Sequence, residues 1–244
     1  TMKTSSFLKE AADSVADLVS PRNCIACGRD LYSVEDELCI PCLCDFPLTR
    51  YERISRNPMA DKLNSFVEKG PYLYATALFF HLNGYSSITP SIKYRRNFAA
   101  GRYFSSMLGE KILESEYLRD VDCIVPVPLH PFRKFKRGYN QAEIIAREVG
   151  KMLPQAEVRC DLLRKRKSSS SQVKLNREQR YLNIKDAFAA TAKCRDAHYS
   201  HILLVDDVFT TGSTLAACCN ALKKALPNGS ARISVATLSF DEQM

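Results

Sequence analysis

The stretch His201-Ile-Leu-Leu-Val205-Asp206-Asp207-Val208-Phe209-Thr210-Thr211-Gly212-Ser213-Thr214-Leu215 decides how the rest of the chain is read. Ile202 to Val205 is a short apolar run, the pattern of a strand buried on both faces of a parallel sheet. Asp206 and Asp207 follow where such a strand is expected to end, and Leu215 to Leu226 is helix-forming. Between them lies a turn of small hydroxyl residues at a helix start. Unpaired N–H groups and the positive end of the helix dipole favour an anion there. Gly212 lets the backbone close around a phosphate, and Thr210, Thr211, Ser213 and Thr214 offer further hydrogen bonds. The two carboxylates suit ribose hydroxyls or a hydrated Mg²⁺, which prefers oxygen ligands. An anion cradle beside a diol or metal binder is the chemistry of a sugar phosphate. Neither Gly-x-x-x-x-Gly-Lys-Ser/Thr nor Gly-x-Gly-x-x-Gly follows the strand, which sets two other phosphate loops aside. The plainer alternative is an ordinary strand-to-helix turn with one of the acids as cap. The coincidence of strand, paired acids and hydroxyl turn argues against it.

At 244 residues the chain has room for one core of ordinary size plus a small appended module. No apolar run approaches the length of a membrane span, so no membrane insertion is expected. Phe7, Leu8, Ala11, Ala12, Val15, Leu18 and Val19 recur at helical spacing with acids between them. Residues 1–20 therefore read as an amphipathic helix rather than a signal peptide, and the expected location is cytoplasmic. The formal net charge is +8, and it is concentrated. His130 to Arg180 holds fourteen Lys and Arg against five Asp and Glu. Such a block suggests an acidic ligand, whether polyphosphate or nucleic acid.

Residues 21–50 carry Cys24-Ile-Ala-Cys27-Gly and Cys39-Ile-Pro-Cys42, two Cys-x-x-Cys pairs that read as metal knuckles. Four thiolates make a closed site, so the expectation is structural zinc, with rubredoxin-like iron as the chemical alternative. Disulfides or unpaired core cysteines are the other readings; a reducing compartment disfavours the first. Cys44 is a spare.

Residues 51–244 read as the main domain. Tyr74 to Leu82 is a plausible strand and Ile88 to Leu113 a helical run, whose Lys93-Tyr-Arg-Arg96 reads most simply as a solvated face. Cys123 to Val127 is a strand that Pro126 and Pro128 would end. Leu129 to Gln141 then reads as a turn and loop ahead of a helix, Ala142 to Leu153. In it Arg133, Lys134, Lys136 and Arg137 alternate with Phe132, Phe135 and Tyr139, a composition that also suits single-stranded DNA. Val158 to Leu163 is a further strand candidate. Arg164-Lys-Arg166-Lys followed by Ser168 to Ser171 reads as a basic, hydroxyl-rich mobile loop, able to act as a lid over an anion. Strands through Ala190, Ile202 to Val205 and Arg232 to Leu238 complete an alternation that argues a parallel sheet with ligands at its carboxyl ends.

The acid-and-hydroxyl stretch resembles the phosphoribosyl pyrophosphate (PRPP) signature of type I phosphoribosyltransferases. With the four cysteines, Val125-Pro-Val-Pro-Leu-His130, Arg137-Gly-Tyr-Asn-Gln141 and the Arg164-x-Arg166…Gln172…Arg180-x-x-Asn183 string, the chain is similar to the ComF/GntX family. The resemblance implies an α/β fold: a type I phosphoribosyltransferase-like parallel sheet flanked by helices, with a small N-terminal zinc-ribbon-like module. It implies that Asp206 and Asp207 fix the ribose of PRPP and its Mg²⁺. Val208, Phe209, Thr210, Thr211, Gly212, Ser213 and Thr214 would hold the 5′-phosphate. Leu129, His130, Arg137 and Gly138 would take the pyrophosphate, and Arg164, Arg166 and Arg180 would neutralise it as it leaves. It also implies a role in DNA uptake during natural transformation, with uptake proteins as partners. A non-catalytic accessory that keeps the PRPP site and binds single strands through Arg133, Lys134, Lys136 and Tyr139 is the alternative.

Overall fold

The computed structural model describes residues 22–242 apart from 69, 83, 95, 96, 167–186 and 227–230. The expected N-terminal helix, Arg180 and most of the serine-rich loop lie outside the described residues. In chain order come α1 (Ile40–Cys44), a 3₁₀ turn (Tyr51–Arg53), α2 (Pro58–Asn64), β1 (Tyr74–Phe80), α3 (Ile88–Tyr94) and α4 (Phe98–Glu114). They are followed by β2 (Cys123–Pro126), α5 (Pro131–Arg137), α6 (Gln141–Met152), β3 (Glu157–Val158), β4 (Leu163–Lys165) and β5 (Phe188–Ala190). Then come β6 (His201–Phe209), α7 (Ser213–Ala225) and β7 (Arg232–Phe240).

Five strands pair in the order β1-β7-β6-β2-β3, and every pairing is parallel. The alternation of side chains along β6 divides the core in two. Leu203 and Val205 face a layer made by α3, α4 and α6, whose Ile92, Phe104, Leu108, Ile145 and Val149 are fully buried. Ile202 and Leu204 face α2 and α7, with Leu63, Leu215 and Leu222. The first layer also takes in Cys24, Leu31, Leu38, Cys39 and Phe46, so the cysteine segment shares a core with the sheet. Phe46 packs on Phe79 and Phe104, with ring centroids 5.1 and 5.7 Å away.

Several elements differ from the sequence expectation, each for a local reason. β6 runs on through Asp206 and Asp207 to Phe209, because β7 continues to pair with it as far as Phe240. β2 does stop at Pro126, whose partner is Val205. Beyond that point β6 has a strand neighbour on one side only, and the two acids sit in that open stretch. The expected Ile88–Leu113 helix is two helices, with Asn97 accepting from Ala100 N (3.0 Å) as the cap of the second. Phe132 to Arg137, expected as loop, is the short helix α5. His130 Nδ1 caps its start, accepting from Phe132 N, and Gly138 at φ 87° ends it. The Val158–Leu163 strand divides in two: β3 joins the main sheet, while β4 pairs antiparallel with β5 in a separate ribbon.

Candidate functional site

A cleft of about 260 Å³ opens at the carboxyl ends of the parallel strands. From β6 and the turn after it come Asp206, Asp207, Val208, Phe209, Thr210, Thr211, Gly212 and Thr214. Gly212 stands at φ 79°, and a Cβ there would lie 2.5 Å from the Phe209 ring, so glycine is required on both counts. It is the residue before α7, and the first amide of that helix, Ser213 N, donates to Thr211 Oγ1 (3.4 Å). Gly212, Thr214 and Leu215 at the start of α7 line the cleft, so the positive end of the helix dipole lies beside it, a usual setting for a phosphate. Ser213 is buried beneath the turn, its hydroxyl 2.9 Å from that of Thr211.

The cleft's other wall carries cations. Leu129, Arg133 and Arg137 line it from the β2–α5 turn and α5, together with Asn140 and Gln141. Asn140 ties this wall to the sheet by donating to Val127 O (3.0 Å). Lys93 and Tyr94 enter from the end of α3, and Lys165 and Phe188 from the β4–β5 ribbon. Lys93 Nζ lies 2.8 Å from Asp207 Oδ2. Burial opposes the Lys93 charge, and the Asp207 carboxylate, and then Asp206, still hold that ammonium above its ordinary value. Burial, and then the neighbouring Asp207 charge, pushes the Asp206 carboxyl up to about 7, against the pull of Lys93. Burial and the charge of Arg133 hold the Lys165 ammonium below its ordinary value. Crowded cations opposite paired acids make a site that an anion carrying a diol or a metal ion would relieve at both ends.

Other residues expected at the site stand elsewhere. His130 and Gly138 are the two caps of α5. Lys134 is paired with Glu143 (2.6 Å) on the outer side of α5 and, with Arg164, lines a separate hollow of about 170 Å³. Lys136 and Arg166 are exposed. The Tyr139 hydroxyl donates to Ile92 O, and its ring packs on Phe98 at 4.8 Å. Strand alternation explains why Lys165 reaches the cleft and Arg164 does not. Sequence reasoning missed Lys93, Tyr94, Lys165 and Asn140. The Lys93-Tyr-Arg-Arg96 cluster was the one available signal for the first pair.

The four sulfurs of Cys24, Cys27, Cys39 and Cys42 all lie within 4.8 Å of one another. Cys27 Sγ and Cys39 Sγ are 3.7 Å apart, far beyond a disulfide bond and near the roughly 3.8 Å edge of a tetrahedral zinc–thiolate site. Cys39 N also points at Cys24 Sγ (3.4 Å). Burial works against a Cys39 thiolate, but the Cys42 amide and the Arg29 guanidinium bring that thiol down to about 6. The donor set fits a structural zinc ion. Cys44 is exposed and outside the cluster. No helix among the described residues is long and apolar enough to cross a membrane.

A parallel sheet whose central strand delivers two acids and a helix start to one cleft is the architecture of a phosphoribosyltransferase-type domain. Residues 135–243 match the family model described as phosphoribosyl transferase domain. The relatives narrow this further. Competence protein F of Haemophilus influenzae is 26% identical over 208 residues, 82% of this chain and 90% of that protein. Competence protein ComFC of Streptococcus pneumoniae is 26% identical over 235 residues, 86% of this chain and 95% of its own. The DNA utilization protein YhgH of Salmonella typhimurium is 30% identical over 153 residues, 62% of this chain and 64% of that protein. The chain carries a phosphoribosyl transferase domain with a four-cysteine cluster ahead of it, and over most of its length it is similar to these competence and DNA-utilization proteins.

Proposed function

We propose that the cleft binds PRPP with Mg²⁺ and that the protein serves DNA uptake. The observation that carries the first half is the convergence of Asp206, Asp207, Thr210, Thr211 and Gly212 on one cleft faced by Lys93, Arg133, Arg137 and Lys165. In this reading the turn before α7 takes the 5′-phosphate and the two carboxylates take the ribose hydroxyls. The cations of α3, α5 and β4 take the pyrophosphate. Bound Mg²⁺ would screen the pyrophosphate charge and help it leave. Holding C1 open to attack between fixed anion sites is the protein's own contribution to transfer. We assign the zinc ion to the module at residues 21–50, the transferase-type domain to 51–244, and the protein to the cytoplasm. The role in uptake rests on the competence and DNA-utilization names of the relatives. Titration calorimetry with PRPP and Mg²⁺ tests the cleft: binding by the parent and its loss in Asp206→Asn/Asp207→Asn are expected. Unchanged affinity in that variant sinks the assignment.

A second reading, single-stranded DNA binding beside the cleft, is favoured by one observation. Phe132 and Phe135 on α5 are 69% and 89% exposed, among Arg133, Lys134 and Lys136. Exposed rings take stacked bases while neighbouring cations follow the phosphates. Tyr139, packed on Phe98, has no part in this version of the surface. Phe132→Ala/Phe135→Ala should weaken strand binding roughly thirtyfold or more without lowering Tm. Replacing Arg133 and Lys136 should flatten the salt dependence, and an unaltered slope would clear them.

A further inference from the structure

We propose that the four-cysteine module positions Lys93 in the cleft through α3, so that metal occupancy of the module and anion affinity of the cleft are coupled. The coupling deepens the reading above, since it takes the cleft as the seat of PRPP.

α3 is gripped at both ends. Just before it, the Tyr85 hydroxyl donates to Cys42 O (2.9 Å) and the Ser87 hydroxyl to Ile25 O (2.8 Å). Each of these carbonyls belongs to a different Cys-x-x-Cys turn, and Cys42 also supplies one of the four sulfurs. Just after α3, Asn97 Nδ2 donates to Glu37 Oε2 (3.3 Å), again within the module. At the cleft end, Lys93 Nζ lies 2.8 Å from Asp207 and the Lys93 carbonyl accepts from Gln141 Nε2 (3.4 Å). Arg137 holds Gln141 Oε1 (2.8 Å) and lies over the Tyr94 ring at 5.2 Å.

A helix of seven residues has no stability of its own in water, so its position depends on what holds it. Ile88, Ile92 and a Thr89–Ser239 contact of 3.1 Å fix it against the sheet. The module fixes its entry. A segment as small as residues 21–50 takes its shape from its metal, so the carbonyls that receive Tyr85 and Ser87 are in place only when the four thiolates are gathered. Lys93 is thus the one of the cleft's four named cations whose helix is carried by the module. Its ammonium sits at the cleft wall 2.8 Å from Asp207, where a diphosphate would compete for it.

The test is the Tyr85→Phe/Ser87→Ala variant, which keeps all four cysteines and the Tyr85 ring against Phe46. Zinc content, hydrogen exchange over residues 88–94, and Mg-PRPP affinity are measured on the full chain. Unchanged zinc, faster exchange over 88–94 and an affinity loss of about fivefold or more are expected. Lys93→Met should lose comparable affinity, and the triple variant little beyond it, because the effects share one route. Unchanged exchange with full zinc overturns the proposal, as does additivity with Lys93→Met. If the parent binds no PRPP, the cleft reading fails, and exchange alone then decides the coupling. Should the variant lose its metal or fold poorly, chelation of the parent below its Tm replaces it. Faster exchange over 88–94 then supports the coupling, and unchanged exchange overturns it.

Discussion

Lys93 Nζ and Asp207 Oδ2 stand 2.8 Å apart, the Lys93 side chain 24% exposed and that of Asp207 6% exposed. The pair joins α3 to the central strand across more than a hundred residues of sequence. Removing the cation strands a buried carboxylate, whereas removing the carboxylate frees a lysine that still reaches water. Lys93→Met should therefore lower stability by about 2 kcal/mol, roughly 4–8 °C in Tm. Asp207→Asn should cost about half that. The double variant should recover part of the loss, and a cycle of thermal melts showing simple additivity would refute the pairing.

Asp206 carries a pH signature of known sign. Its folded-state value is raised to about 7, above the ordinary carboxylate range. Whatever this favours is present below about pH 4 and is lost as pH rises through about 7. Asp206→Asn should thus be more stable than the parent above neutrality, on the order of 2 kcal/mol, and the gap should close towards pH 4. Urea melts across that range check it; a constant gap would contradict it.

Gly212→Ala meets two obstacles, a backbone at φ 79° and a Cβ position 2.5 Å from the ring of Phe209. Phe209 is buried against Phe240, with centroids 5.6 Å apart, and has no room to withdraw. Destabilisation of about 2–4 kcal/mol is expected. Phosphate-dependent stabilisation of the melt should vanish with it, and its survival would show that the turn is not the cradle.

Glu35 is a buried carboxylate that accepts from Tyr32 N (2.8 Å), Ile40 N (2.7 Å) and Arg29 (2.6 Å). It stitches the turn after the first cysteine pair to the start of the second. Burial opposes its charge, and those donors still hold it below the usual value. Glu35→Gln keeps the size but turns one acceptor into a donor facing donors. Zinc affinity in a chelator competition should fall about tenfold, with all four ligands intact. Parent-like affinity would leave Glu35 a bystander.

What the sequence disclosed was local. Asp206 to Thr214 could be read because strand, acids, glycine and helix start are contiguous, and the cysteine pairs because metal spacing is local too. Pro126 rightly marked where β2 ends. What stayed hidden depended on partners far along the chain. Only pairing with β7 keeps β6 extended through Asp206 and Asp207. Lys93 had the look of a solvated helix face because nothing near it in sequence shows that Asp207 waits opposite. Lys165 was passed over for Arg164 because the ribbon with β5, which sets their facing, is itself a long-range pairing. The prolines around Leu129 suggested a loop, yet Pro131 opens α5 behind its His130 cap.

The place of β7 in the sheet has a consequence during synthesis. Its residues, Arg232–Phe240, slot between β1 and β6, so among the described residues β1 gains its parallel partner only about 150 residues after it is made. For roughly 150 residues, about eight to thirty seconds on a ribosome, Tyr74–Phe80 has the Leu48 bridge on one edge and lacks β7 on the other. A chain stopped before Arg232 leaves the β7 edge of β1 open and should aggregate more readily than the full chain.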